Sequence, residues 1–378
     1  MWQYFQPVKV IFGTDSIDRM AEAIVSTGGT KGLLVTSPSF VKNGTADRLV
    51  KLSENKISDI FSDVTPNPDV RECDACVELL RRGGHDFVVA LGGGSVMDCA
   101  KAASALCKGP SELTATDYLQ GRAEIPAAHL PLIAVPTTSG TGSEVTSVAV
   151  LSDHSIGLKA PISAESLYPA IGIVDPRLTL TTPPKLTAAT GMDALCHSIE
   201  AYWSRHHQPV CDALAIHAAR LILDNLATAV ANPDDIKARE AMAEASTIAG
   251  MSFAIPKTSA PHACSYPLTN QLGIAHGEAC GLTLTHFLRF NAAHGCDRIN
   301  ALATSLGYDS AEHLATAIDT LAATIGLRRD LADLALSPEQ IEALVQGSKH
   351  PNLRNNPADI SENDLREMYF TLSNSTVD

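Results

Sequence analysis

Asp193 and His197 stand four residues apart in Gly191-Met192-Asp193-Ala194-Leu195-Cys196-His197, so on a helix they project the same way, about one turn apart. A carboxylate and an imidazole so placed can share one divalent metal and leave further positions to ligands from elsewhere. An Asp-x-x-x-His pair also arises in ordinary helices, with a solvated Asp and a satisfied His, so the metal chemistry needs partners from other segments. Candidates lie in Pro261-His262-Ala263-Cys264-Ser265-Tyr266 and in Gly273-Ile274-Ala275-His276-Gly277-Glu278. His217, inside an apolar helical segment, reads as packed, and His206 and His207, in a polar connection, read as exposed.

Two loops have the composition of a ligand cradle. Leu91-Gly92-Gly93-Gly94-Ser95 precedes the helical run VMDCAKAASAL. Its glycines allow a ligand close to the backbone and allow positive φ. Ser95 is placed to cap the helix, with Asp98 closing a capping box. A diphosphate there would meet free N–H groups and the positive end of the helix dipole, although the spacing is not G-x-G-x-x-G. The second loop, PTTSGTGSE from Pro136, offers hydroxyls suited to a phosphate, a ribose or a nicotinamide carboxamide. Cys73 and Cys76 form a C-x-x-C inside an amphipathic helical segment, with neither a second pair nor a His to complete a zinc site, and read as packing residues.

The elements that must position these groups change character along the chain. Strand candidates are VKVIF from Val8, GLLVT from Gly32, DIFSDV from Asp59, DFVVAL from Asp86, LIAV from Leu132, SVAVL from Ser147 and IGIV from Ile171. Several are near-continuous apolar runs followed by small residues and a helix, which predicts a mainly parallel sheet covered on both faces. Such sheets bind ligands beyond the carboxyl ends of their strands. After Thr182-Pro183-Pro184, Ala- and Leu-rich amphipathic segments replace the strands. The expected architecture is an α/β dinucleotide-binding domain over residues 1–180 and an all-helical metal- and substrate-binding domain over residues 181–378.

Composition narrows the function classes. Hydrophobic residues make up 45% of the 378 and charged residues 19%, as in ordinary globular chains. A net charge of −14 argues against nucleic acid or an anionic membrane surface as partner. No apolar run reads as approaching the roughly 20 residues of a membrane span. The first residues, MWQYFQPVKVIFG, lack the pattern of a signal peptide. Nine cysteines, an odd number, suit reduced thiols and a cytoplasmic setting better than a disulfide framework.

Taken in order, Gly92-Gly93-Gly94-Ser95 with Asp98 and Lys101, the loop from Pro136 to Glu144, Val174-Asp175-Pro176 and Thr187-Ala188-Ala189-Thr190-Gly191-Met192-Asp193-Ala194-Leu195 resemble the iron-containing, or group III, alcohol dehydrogenases. The resemblance runs from Phe12-Gly13 nearly to the C-terminus. It implies that Gly93, Gly94 and Ser95 hold a dinucleotide's diphosphate and that Thr137, Thr138 and Thr141 line the nicotinamide side. Val150 and Lys159 then lie near the nicotinamide ribose, and Asn67, in Pro66-Asn67-Pro68, close to the cofactor. It also implies one metal held by Asp193, His197, His262 and His276, Fe(II) ahead of Zn(II). Many members follow the GLLVT strand with an Asp that discriminates against a 2′-phosphate, whereas this chain has Ser37. The expected cofactor is therefore NAD(H), with weakened discrimination against NADP(H). Many members also carry a proton-relaying His where this chain has Tyr266, a poor general base with an ordinary pKa of about 10. Tyr266, ordered water, a ribose hydroxyl, or His206 and His207 remain as proton sources.

Pro256-Lys257-Thr258 and Ser265-Tyr266-Pro267-Leu268-Thr269 are similar to the phosphonoacetaldehyde reductase branch of that family. A Lys five residues before a metal-ligating His is suited to an anionic tail, and Arg354, in Asn352-Leu353-Arg354-Asn355-Asn356, offers a second clamp. The expected reaction is reduction of phosphonoacetaldehyde or its near-isostere sulfoacetaldehyde to the alcohol. The alternatives are a dehydrogenase of neutral short-chain alcohols or diols, a lyase of related fold, and a non-catalytic nucleotide-binding protein. The family is commonly dimeric or larger, with N-terminal strands at the interface, so a homodimer or larger homo-oligomer is expected.

Overall fold

A computed structural model describes residues 1–374, which fall into two compact units. The first comprises Phe5–Thr138 and Gly142–Leu180; the second runs from Thr181 onward and takes in Met1–Tyr4 and Ser139–Thr141.

In the first unit, β1 (Lys9–Phe12), β2 (Gly32–Thr36), β3 (Ile57–Phe61), β4 (Phe87–Gly92), β5 (Leu132–Pro136) and β8 (Ile171–Val174) form a parallel sheet in the order β1-β8-β5-β4-β2-β3. The apolar runs have a simple cause: β2, β4, β5 and β8 are buried at every position. Alternation across the pleat feeds two cores. Leu33, Val35, Val88 and Ala90 join Cys73, Cys76 and Cys99 on one face, and Leu34, Val89 and Leu91 join Ile17, Met20 and Leu49 on the other. Cys73 and Cys76 are thus packing residues of the Val70–Gly83 helix, and all nine cysteines are free thiols. Pairing of Gly92 with Pro136 sets the two ligand-cradle loops beside each other at the carboxyl edge of the sheet.

Two elements differ from expectation. SVAVL lies outside the parallel sheet: β6 (Val148–Asp153) pairs antiparallel with β7 (Leu158–Ser163). β7 is illegible as a strand because Pro161 interrupts it, a residue tolerated only at a sheet edge. The capping box at Ser95 does not form either. Gly93, in extended backbone, is the N-cap, so the helix Gly94–Leu106 begins before Ser95 and frees both polar side chains for distant partners.

Among the described residues of the second unit every regular element is helical. The Pro184–Trp203 helix is buried almost throughout and carries Trp203, one of the largest fully buried side chains. Pro209–Ala231 is long and apolar enough to cross a membrane by length and composition, contrary to the expectation that no run approaches that length. Its Ala215, Ala218, Ala219, Ile222, Leu226 and Ala229 instead belong to the helical core. His217 on the same helix is exposed rather than packed, and its Nε2 lies 3.1 Å from Glu244 Oε1. His206 and His207 are exposed.

Candidate active site

Three segments of the second unit deliver the candidate ligands. Asp193, His197 and Glu200 occupy positions i, i+4 and i+7 of the Pro184–Trp203 helix and so share one face. His262 enters from the first turn of Ala260–Leu272, and His276 opens His276–Ala293. His262 Nε2 lies 3.0 Å from His197 Nε2 and 3.5 Å from Asp193 Oδ1, and His276 Nε2 lies 3.8 Å from the same oxygen. Gly277 lets the third segment approach: a Cβ there would stand 2.0 Å from the Ala189 carbonyl oxygen and 2.8 Å from Asp193 Cβ.

Each imidazole is oriented through its other nitrogen. His197 Nδ1 faces the Gly140 carbonyl oxygen at 3.3 Å. His262 Nδ1 meets the carboxylate of Glu200, which also accepts from Ser259 N–H at 2.7 Å and from Ser259 Oγ at 3.1 Å. Ser265 Oγ donates to the His262 carbonyl at 2.7 Å, so at 3.2 Å it accepts from His276 Nδ1. A carbonyl, a carboxylate and a committed hydroxyl all call for N–H at Nδ1, so each ring in its neutral form presents a lone pair at Nε2. Two of those nitrogens, on His262 and His276, therefore face Asp193 Oδ1, a buried oxygen that receives no hydrogen bond among the described residues. His197 Nε2 reaches the group through His262 and stands outside the tight cluster of Asp193, His262, His276 and Cys280. Facing lone pairs repel; a divalent cation is the partner they fit, and the orienting acceptors are of the kind that surround metal-bound histidines.

The local field agrees. Burial alone would raise the Asp193 carboxyl, but His197, His262 and His276 outweigh it and hold the group well below the usual carboxylate range. Burial pushes the His197 imidazole down to about 4 against the pull of Asp193, which keeps it neutral, the ligating form. At His262 and His276 burial again disfavours charge, yet Cys280 with Glu200 at the first and with Asp193 at the second raises both. The pocket is built to welcome positive charge.

Beside the ligands, the Tyr266 ring lies 6.3 Å from that of His276 and 4.7 Å from that of His350. Burial raises the Tyr266 phenol, so the hydroxyl stays protonated. Lys257, just past the helix Ile236–Phe253, sits in left-handed backbone at φ 64°. Among the described residues no acceptor bonds its ammonium; the residue as a whole is exposed, and the neighbouring protein still lowers the pKa of the amine by partial desolvation. The next residue, Thr258, is tied to the Pro351–Asn355 turn: Asn352 Nδ2 donates to its Oγ1 at 2.7 Å and Asn355 Nδ2 to its carbonyl at 2.8 Å. Those asparagines flank Arg354, which is exposed.

In the first unit, the glycines of the 92–94 turn serve close approach rather than positive φ. A Cβ on Gly92 would lie 2.6 Å from Val96 Cβ, and one on Gly93 would lie 3.1 Å from Thr138 Oγ1. Gly93 as cap offers no side chain to the first N–H groups of the Gly94–Leu106 helix, an arrangement suited to an anion. Ser95 Oγ accepts from Asn67 N–H at 3.1 Å, and Lys159 Nζ donates to Asn67 Oδ1 at 2.9 Å, so these three expected cofactor residues form one chain of contacts. Asn67 itself is left-handed at φ 57°. Asp98 accepts from Ser143 Oγ at 2.7 Å and from Val150 N–H at 2.9 Å, fixing the second loop and Val150 against the first helix. Thr137 N–H bonds the Gly92 carbonyl at 3.1 Å. Thr141 belongs to the second unit, with Ser139 and Gly140.

Sequence reasoning overlooked Glu200, Ser265, Gly140, Cys280 and His350. A signal existed for two of them: Glu200 continues the Asp193/His197 face, and Cys280 follows His276 by four residues.

Comparison with known proteins agrees with this geometry. The chain is 47% identical to the sulfoacetaldehyde reductase of Bifidobacterium kashiwanohense, solved in complex with NAD+, with a TM-score of 0.96 over 99% of each chain. It is 35% identical to the 1,3-propanediol dehydrogenase of Citrobacter freundii over 98% of each. To the long-chain-alcohol dehydrogenase 1 of Geobacillus thermodenitrificans it is 32% identical, over 97% of this chain and 95% of that protein. Residues 7–176 match the family described as iron-containing alcohol dehydrogenase, and residues 187–372 match its C-terminal region. With its parallel sheet, helical C-terminal part and convergent carboxylate and imidazoles, this chain belongs to the iron-containing alcohol dehydrogenases and is an oxidoreductase.

Proposed function

We propose that the chain reduces a short aldehyde with an anionic tail, sulfoacetaldehyde or phosphonoacetaldehyde, to the alcohol. NADH is the reductant, and Asp193, His197, His262 and His276 hold one divalent metal, Fe(II) ahead of Zn(II). When bound, the metal supplies Lewis-acid polarisation of the substrate carbonyl, and the reduced nicotinamide supplies the hydride. Gly93, Gly94 and Ser95 bind the diphosphate. Thr137, Thr138 and Thr141 line the nicotinamide side, Val150 and Lys159 lie near its ribose, and Asn67 lies close to the cofactor. Ser37 lacks the charge that would repel a 2′-phosphate, so NADPH is accepted as well. Tyr266, kept protonated by burial, is suited to donate a hydrogen bond to the developing alkoxide and unsuited to act as a base.

The observation that carries the anionic tail is Lys257: a cation with no acceptor among the described residues, five positions before His262 and braced through Thr258 to the turn that bears Arg354. Lys257 is exposed and held in disfavoured backbone at φ 64°, so its ammonium is open to an anionic substrate. The sulfoacetaldehyde reductase relative supports the same reading. The relatives at 32–35% identity carry names for uncharged alcohols and favour the second reading, a dehydrogenase of neutral alcohols or diols. NADH oxidation with sulfoacetaldehyde, phosphonoacetaldehyde, propanal and 3-hydroxypropanal, with Fe(II) and Zn(II) supplied separately, decides between them. The charged aldehydes are expected to show the higher kcat/KM; equal or better turnover of the neutral pair favours the second reading. A homodimer or larger homo-oligomer is part of the proposal, with the edge strand β1 at the interface, and light scattering in solution tests it.

A further inference from the structure

Cys280 follows His276 by one helical turn on the same face of His276–Ala293 and is fully buried. Its Sγ lies 3.9 Å from His276 Nε2. One donor atom from each of Asp193, His262, His276 and Cys280 can be chosen so that all lie within 4.8 Å of one another. The Nδ1 atoms of His262 and His276 already have partners, so it is the inward-facing Nε2 of His276 that the thiol meets. Independently, the buried Asp193 Oδ1 at the centre of the group has no hydrogen bond. A sulfur so placed is closer to a ligand's position than to that of a packing residue.

We infer that Cys280 Sγ is a further ligand of the divalent metal, making the donor set carboxylate, imidazole and thiolate. The inference rests on the metal reading proposed above. On binding, the S–H bond breaks, its proton leaves to solvent, and a sulfur lone pair forms the metal–sulfur bond with no change in oxidation state. A soft donor shifts the site's selectivity toward Zn(II), Co(II) and Fe(II) relative to Mn(II).

The test is spectroscopic. The full chain, stripped by chelator, is titrated with Co(II) under reducing conditions, with bound cobalt counted by elemental analysis. The expected result is one cobalt per chain and an intense near-ultraviolet thiolate-to-cobalt charge-transfer band beside weaker visible bands. Cys280→Ser is expected to lose the near-ultraviolet band, and Cys296→Ser, whose thiol lies elsewhere, to keep it. One cobalt per wild-type chain without that band, or a band that survives Cys280→Ser, overturns the role of Cys280 and leaves the metal site standing. Wild-type protein that binds no cobalt overturns both. The wild-type spectrum decides even if the serine variant fails to fold.

Discussion

Glu200→Gln isolates the orientation of one imidazole from everything else the buried carboxylate does. The amide keeps the shape of Glu200, and its oxygen still accepts from Ser259 N–H and Oγ, at 2.7 and 3.1 Å, and from His262 N–H at 3.4 Å. At the other atom an NH2 group replaces the oxygen that meets His262 Nδ1. Two donors cannot share that contact, so the ring must switch tautomer, accept at Nδ1 and carry its proton on Nε2. That nitrogen faces His197 Nε2 at 3.0 Å and Asp193 Oδ1 at 3.5 Å. The lone pair offered to the metal is then lost unless the ring gives up its new hydrogen bond. Removing an outer partner of a metal-bound histidine weakens metal affinity by about 10–100-fold, or roughly 1.4–2.7 kcal/mol at about 1.4 kcal/mol per tenfold. Competition titration of Zn(II) against a chelator of known affinity, at fixed pH, reads this directly. The melting temperature of the metal-free variant should stay near wild type, because the remaining bonds persist. Glu200→Ala, in contrast, strands several buried donors at about 1–3 kcal/mol each and should melt earlier. Unchanged Zn(II) affinity in a folded Glu200→Gln protein would refute the orienting role.

Lys257→Met should raise KM for sulfoacetaldehyde by roughly 10–100-fold, the worth of a charge-assisted hydrogen bond, while leaving propanal nearly unchanged; equal effects on both would remove Lys257 from the pocket. Because partial desolvation lowers its pKa, the ammonium is lost as pH rises before the ordinary lysine value of about 10.4. KM for the charged aldehyde should therefore climb at high pH in wild type and stay flat in the Met variant. Ser37, whose hydroxyl is shared with Ser39 at 2.8 Å, stands just past β2; Ser37→Asp should shift the ratio of kcat/KM toward NADH by at least about tenfold, since like charges set side by side cost several kcal/mol. An unchanged ratio would place the discriminating group elsewhere. Gly277→Ala forces a methyl group against the Ala189 backbone carbonyl, an overpacking of about 1–3 kcal/mol, readable as a lower melting temperature together with weaker metal binding.

The parallel sheet was legible because burial on both faces demands uninterrupted apolar strands, and β2, β4, β5 and β8 meet that demand. β7 was not, because Pro161 and Lys159 break the pattern in a strand that pairs on one side only among the described residues. The Ala260–Leu272 helix was hidden in the same way by Pro267 inside it. His217 misled for the opposite reason: its helix is apolar on average, but that one position turns outward to Glu244. At Ser95 the error was one of register. A glycine took the capping position, and the hydroxyl expected to cap the helix instead receives Asn67 N–H.

What no linear reading could supply is the protonation pattern of the site. Asp193 and His197 announce themselves by spacing, but whether an imidazole offers a lone pair or a proton depends on what lies behind it. Here three unrelated segments provide that backing: the Gly140 carbonyl, the Glu200 carboxylate and the Ser265 hydroxyl. Each acts on the nitrogen that points away from Asp193, and each imposes the same tautomer. Any one of them could be an ordinary buried hydrogen bond. All three together turn the Nε2 atoms inward, those of His262 and His276 toward one unbonded carboxylate oxygen and that of His197 toward His262. Positive charge offsets the cost of assembling it, as protons on His262 and His276 or as one divalent cation, and so the hydrogen bonds on the outer side of the rings carry the metal reading as much as the ligand residues do.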